Sequence, residues 1–366
     1  MVPETYNEEN TANDYTGRPS GEMSLYTSSM NSSESNNYRL RMYVDEGYNP
    51  QGDGGNLQFT VQINVYGKAG DKYFPPAVET LLAKVNPEDL DYNSATSEQQ
   101  KEMWTFTHPE TEQTEALTDY RYIGANPNNY VTFNNELWRI IGVFTVDDGT
   151  GNKEERLKIM RNESIGDFVW DTNNTNDWTN ATLNAILNSG DYWNSSLSEN
   201  AKNMIGDTIW YLGGATNFST VANGLTSHFY SYERGTTVYS GGSTSKTGKV
   251  GLMYPSDYGY ATSGGTTTDR NTCLTKELYN WDSVSDCYNN DWIFNSSFQW
   301  TITPHSSYSN FVFGVDRSGD LGNSPTVSIG EAHPVVFLKS SIKIVDGDGS
   351  SSNPYQLQFD LVKTSV

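Results

Sequence analysis

The first sustained pattern along this chain has a period of two. In YRLRMYVDE, Tyr38, Leu40, Met42 and Val44 alternate with Arg39, Arg41 and Tyr43. In LQFTVQINVY, Leu57, Phe59, Val61, Ile63 and Val65 alternate with Gln58, Thr60, Gln62 and Asn64. Such alternation predicts two strands, each with one wet face, joined by the turn-rich NPQGDGGN. Two strands alone are marginally stable, so they are expected to join a larger sheet, in this chain or in another copy. Residues 1–37 carry neither period and read as a polar arm. After the strands the period lengthens. Pro75 and Pro76 can open a helix, Val78, Leu81, Leu82 and Val85 form one apolar stripe, and Asn86-Pro87 ends it. A small β-rich module with one helix is thus predicted over 38–88. Residues 89–118 are polar and acidic, with Trp104 and Phe106 as isolated anchors, and read as a linker.

From 119 to 366 the elements are short. Tyr122, Tyr130, Val131, Phe133, Trp138, Ile140, Ile141, Val143 and Phe144 fall in two strands joined by a hairpin turn in FNNEL. LKIM (157–160) predicts a third strand. In NATLNAILNS, Leu183, Ile186 and Leu187 share a helical face, and SENAKNMI predicts a second helix with Ser198 as N-cap. GGATNFSTVANG and GTTVYSGGSTSKTG read as exposed loops. VGLMYPSDYGYA is expected to open a final sheet completed by WTITP, FVFGVD, HPVVFL and YQLQFDLV. Short strands, long irregular loops and two early helices predict an α+β domain. The lack of an internal repeat argues against a solenoid.

Charge narrows the partners. The 366 residues hold 45 acidic and 23 basic side chains, a net charge of -22. Without clustered Lys and Arg to displace counterions, nucleic acid is not an expected partner. No run of 18 apolar residues predicts a membrane span. The first residues have neither a basic nor an apolar leader region, as expected of a processed fragment. The 24 Tyr and 9 Trp suit both strands and contact surfaces. Cys273 and Cys287 lie close together in an Asn/Ser/Thr-rich setting, with no His nearby and no C-x-x-C spacing. They predict a disulfide formed in an oxidising compartment.

Taken in order, YVTFNNELWRIIGVF, LNAILNSGDYWNSSLSENAKNMI, VGLMYPSDYGYA, WTITP, VDRSGDL and HPVVFL resemble the DUF6273-type domains of surface proteins from gut Firmicutes. That resemblance implies a C-type-lectin-like fold shared with formylglycine-generating enzymes, and an extracellular, surface-attached location. It also implies a binding or adhesion role towards a glycan or a host or microbial surface protein. One position departs from the pattern: His333-Pro334 stands where the family carries Arg-Pro, and His333 is expected to be structural. The resemblance places the ligand-facing residues in the final sheet and its loops. These are Trp292, Trp300, His305, Tyr308, Asn310, Phe311, Asp316, Arg317 and Asp320. Aromatic faces stack on sugar rings, and Asn and Asp bind hydroxyl groups.

Asp346, Asp348 and Ser350 are spaced like the start of a calcium loop, but no Glu closes it at the twelfth position. Calcium is the one cofactor this leaves as a candidate. His108, His228, His305 and His333 show no metal spacing, and no catalytic signature motif is present. The expected activity is therefore non-catalytic. The alternatives are a structural subunit of a surface fibre or biofilm matrix, self-associating through the N-terminal strands, and a glycan-degrading enzyme with a carboxylate pair.

Overall fold

The computed structural model describes residues 74–110 and 115–359. The chain divides into two compact units, Met1–Tyr73 and Phe74–Val366. The expected arm and the two alternating strands at 38–44 and 57–65 lie outside the described residues.

Seven α-helices are described: α1 (Ala77–Leu82), α2 (Thr182–Asn188), α3 (Glu199–Met204), α4 (Thr226–Arg234), α5 (Pro255–Ala261), α6 (Arg270–Leu274) and α7 (Ser285–Asn289). The strands run β1 (Met103–His108), β2 (Leu117–Tyr122), β3 (Tyr130–Phe133), β4 (Glu136–Asp147), β5 (Lys153–Arg161), β6 (Asp167–Val169), β7 (Thr208–Tyr211) and β8 (Ser245–Gly248). They continue through β9 (Val250–Gly251), β10 (Gln299–Pro304), β11 (Phe311–Val315), β12 (Leu321–Pro325), β13 (Ile329–Glu331), β14 (Val335–Phe337), β15 (Lys343–Asp346) and β16 (Tyr355–Gln358). The class is α+β.

A mixed sheet runs β15-β16-β3-β4-β5-β14-β9, with β2 joined to β4 and β1 to β2. A second sheet runs β12-β11-β10-β13-β6, and β7 pairs with β8 alone. The strands expected to form one final sheet therefore divide. WTITP and FVFGV lie in the second sheet, while VVF and YQLQ close the first.

Long β4 organises the first sheet. Its start pairs with β3 across a turn in which Asn134 and Asn135 take φ of 57° and 59°, the left-handed values a tight hairpin needs. Further along the same edge, Val143 and Gly142 pair with Tyr120 and Arg121 of β2. At the irregularity between Ile140 and Gly142, a Cβ on Gly142 would lie 2.0 Å from the Tyr120 carbonyl oxygen. Only glycine lets β2 come this close, and that approach carries Arg121 into the interior.

Stretch 89–118, expected as a linker, contributes β1, which pairs with β2 from Met103↔Tyr122 to His108↔Leu117. Trp104 and Phe106 are buried in a small cluster with Ile123, Tyr230 and Tyr260. Helix α1 appears where the stripe predicted it. The backbone N–H of Ala77 donates to Ile342 O (2.7 Å), so the helix belongs to the same unit as the first sheet.

Four helices were not expected: α4, α5, and α6 and α7 in the stretch that carries the two cysteines. VGLMYPSDYGYA provides only the two-residue β9 and then turns into α5. Pro255 begins that helix, and the Asp257 carboxylate accepts the Tyr254 backbone N–H at 2.8 Å. Every residue of α5 is buried, so no wet face marks it as helical. Helix α4 arises between the two glycine-rich loops, and β8 from within the second. By contrast, α2 buries Leu183 and Leu187 as expected, and the Ser198 hydroxyl caps α3 by accepting the Ala201 N–H (3.2 Å).

Cys273 on α6 and Cys287 on α7 form the expected disulfide, with a Cα–Cα distance of 5.5 Å and both residues buried. Closing a loop of 14 residues stabilises the fold by about 3 kcal/mol.

Candidate functional site

The nine expected binding residues do not meet on one surface. Trp300 is buried, and its indole N–H donates to Phe168 O at 2.9 Å. Trp292 is buried, and its indole N–H donates to Tyr122 O at 3.0 Å. The His305 ring is enclosed beside Phe313, and its Nδ1 accepts the Ser307 N–H at 3.0 Å. These three are interior residues, because a large ring is worth more buried than displayed when its polar atom finds a partner indoors. Asp316, Arg317 and Asp320 form the β11–β12 turn, where Asp316 Oδ1 accepts the N–H groups of Ser318 (2.8 Å) and Asp320 (3.1 Å). Asp320 accepts the Asp282 N–H (2.7 Å), and burial pushes its carboxyl up to about 6. Tyr308, Asn310 and Phe311 sit at the opposite end of β11, a full strand length away.

At that end lies a shallow cleft of about 130 Å³. It is lined by Thr216, Asn217, Asn223, Tyr232, Thr237 and Ser306 together with two glycines, and no carboxylate lines it. The backbone of 213–215 passes between the end of α4 and the end of β10: Gly213 N donates to Glu233 O (3.0 Å), and Ser306 N to Ala215 O (2.9 Å). A Cβ on Gly213 would lie 2.0 Å from Tyr232 O, so the pair of glycines makes this passage feasible. Across the cleft's rim the hydroxyls of Thr216 and Ser307 bond at 2.9 Å. Tyr308 follows at once and is 56% exposed.

Asn176, which the sequence did not single out, fixes this loop. Its side-chain amide donates to the carbonyls of His305 (2.9 Å), Tyr308 (2.8 Å) and Phe311 (2.9 Å). One buried amide thus holds the β10–β11 loop at three of its carbonyls.

A second cavity, of about 230 Å³, is of opposite character. Lys158, Asp119 and Arg234 border it among the rings of Phe144, Tyr230 and Tyr254. Behind it lies a buried charge network. Arg121 donates to Asp119 Oδ2 (2.9 Å) and to Asp257 Oδ1 (3.2 Å). Lys158 Nζ donates to Asp257 Oδ2 at 2.5 Å, and His108 Nε2 lies 3.0 Å from Asp119. The Lys158 ammonium also sits 4.4 Å from the Tyr254 ring centre and 5.4 Å from that of Phe144. The Arg234 guanidinium stacks 3.5 Å above Tyr230. Burial drives the Lys158 amine down to about 8 despite the neighbouring Asp257. It likewise raises the Asp119 carboxyl, but Arg121 and His108 outweigh it and hold that group well below the usual range. The sequence carries a signal for this network. Arg121, Lys158 and Asp257 each interrupt an apolar run, and a charge in such a setting must find a partner indoors.

Glu233 adjoins the network and is fully buried. It accepts the Ser256 N–H (2.9 Å) and hydroxyl (2.5 Å). Burial pushes its carboxyl up to about 7 against the pull of Arg234. A carboxyl whose folded value is raised contributes stability below its unfolded value of about 4.5, and that contribution is lost as pH rises through 7. Glu233→Gln removes this titration. We expect the variant to gain about 2–3 kcal/mol relative to the parent between pH 5 and pH 8, read from denaturant midpoints. Parallel pH profiles would refute the assignment.

Asp346, Asp348 and Ser350 form the turn between β15 and β16. The Asp346 carboxylate accepts the Gly347 N–H and that of Asp348 the Ser350 N–H, both within ordinary hydrogen-bond range. Among the described residues no group of three or more His, Cys, Asp or Glu side chains is placed to hold a metal ion. Among them, too, no helix is long and apolar enough to cross a membrane. His333 is buried, with Nδ1 3.2 Å from Arg161 O and Nε2 3.2 Å from Glu331.

No family model, curated protein or solved structure matches this chain.

Proposed function

We propose that the chain is a non-catalytic binding and adhesion module displayed outside a bacterial cell, with a C-type-lectin-like domain whose ligand is a glycan. The observation that carries this reading is Tyr308, a ring 56% exposed on the loop whose Ser306 lines a cleft of amides and hydroxyls. Exposed tyrosine stacks on a sugar ring, while neutral Asn, Thr and Ser groups exchange hydrogen bonds with its hydroxyls. The α+β architecture is compatible with the lectin-like family, and the disulfide with an oxidising extracellular location.

The cleft's neutral lining has a consequence for calcium. A ligand held by amides and hydroxyls needs no metal bridge, so binding on a glycan array is expected to survive EDTA. Tyr308→Ala is expected to weaken it at least tenfold, about 1.4 kcal/mol. Absence of binding to every glycan would overturn the reading. Retention of full affinity by the Tyr308 variant would displace the site from this cleft.

A further inference from the structure

We propose that Lys158 and Asp257 are joined by an intramolecular isopeptide bond, an amide from Lys158 Nζ to Asp257 Cγ that ties β5 to α5. The inference is independent of what the chain binds. It starts from placement: the two groups lie 99 residues apart in sequence, and the nitrogen sits 2.5 Å from the carboxylate oxygen. Their side chains are 2% and 1% exposed.

The surroundings favour condensation over a lasting ion pair. Ions taken out of water lose their hydration, whereas an amide has much less to lose. Four rings, those of Phe144, Trp210, Tyr254 and Phe337, stand within 6 Å of the Lys158 nitrogen. Holding amine and acid in contact also replaces a bimolecular encounter with a positioned one, which is worth several powers of ten in rate.

The step balances with no other reactant. One proton passes from the Lys158 ammonium to Asp257 Oδ2, leaving a neutral amine and a carboxylic acid. The amine's lone pair attacks Cγ, and negative charge gathers on Oδ1. Arg121 faces that oxygen at 3.2 Å and donates to it. The Tyr254 N–H donates to Oδ2 at 2.8 Å, on the departing side. The Cγ–Oδ2 bond breaks, and that oxygen leaves as water with two of the three ammonium protons. Nothing is oxidised or reduced. The cavity of about 230 Å³ that Lys158 borders receives the water.

Arg121 bonds the same acid but cannot substitute, because its guanidinium stays protonated and is not a nucleophile at neutral pH.

The test is the intact mass of the full chain, kept folded at neutral pH and then reduced and denatured. We expect it to fall one water, about 18 Da, below the sequence mass, and proteolysis to yield a branched fragment joining the Lys158 and Asp257 peptides. Lys158→Met and Asp257→Ala should each restore the sequence mass. A parent chain at its full sequence mass overturns the proposal, whether or not the variants fold. So does a water deficit without the branched fragment, or one that persists in Lys158→Met.

Discussion

Arg121→Met is expected to destabilise the described unit by about 3–5 kcal/mol, measured by urea unfolding at neutral pH. The loss comes from stranded partners more than from one missing contact. Arg121 is 1% exposed and bridges Asp119 and Asp257, which come from different elements. Methionine keeps much of the volume, so the packing against Phe144 and Tyr260 largely survives. What does not survive is the counter-charge of the buried Asp119 carboxylate. Asp257, joined to Lys158 as a neutral amide, loses only a donor, while Asp119 is left with His108, whose own burial disfavours the protonated ring.

The variant should also show a pH signature. Burial raises Asp119, but Arg121 and His108 win and hold the folded carboxyl below its unfolded value. Its contribution is present above about pH 4 and lost as pH falls through the lower folded value. Without Arg121 that folded value rises, so acid unfolding, followed by far-UV circular dichroism, should begin at a higher pH. A change under 1 kcal/mol with an unmoved acid transition would show that the network is decorative.

The residues of that network explain what the sequence made legible. Periodicity or capping chemistry found the β3–β4 hairpin, the α2 stripe at Leu183 and Leu187 and the Ser198 cap, but missed α4, whose wet positions are filled by Ser, His and Tyr, and β1, whose Trp104 and Phe106 stand among polar residues. It also failed where burial is complete. In α5, Pro255 through Ala261 are all enclosed, polar Ser256 and Asp257 included, so the helix shows no alternation of wet and dry positions at a helical period. Strand identity was readable in WTITP and HPVVFL, but sheet membership was not. Both runs are buried on each face, and nothing local says which sheet receives them. Candidate site residues suffered likewise. A tryptophan offers the same letters whether it stacks on a ligand or fills the core. Eight of the chain's nine tryptophans are buried, so aromatic richness served the interior. The loop that does reach solvent is held by Asn176, an asparagine indistinguishable in sequence from its neighbours in NNTND.

A pair of substitutions separates those two fates. Trp300→Ala is expected to cost about 3–5 kcal/mol, because it empties a fully enclosed site and removes the donor to Phe168 O. The cavity cannot collapse easily. Phe298 packs edge-on at 4.8 Å, and at Gly330 there is no room for even a Cβ, which would lie 2.5 Å from the Phe298 ring and 3.0 Å from the Trp300 nitrogen. Tyr308→Ala removes a ring of similar chemistry from solvent and should leave the unfolding midpoint within about 0.5 kcal/mol of the parent. Its cost should appear in glycan affinity alone. The decisive comparison is therefore crossed: stability falls in the tryptophan variant, binding in the tyrosine variant. If Trp300→Ala unfolds at the parent's denaturant concentration, the second sheet is not packed as described. If Tyr308→Ala unfolds early, its ring is a structural prop and the cleft loses its stacking platform.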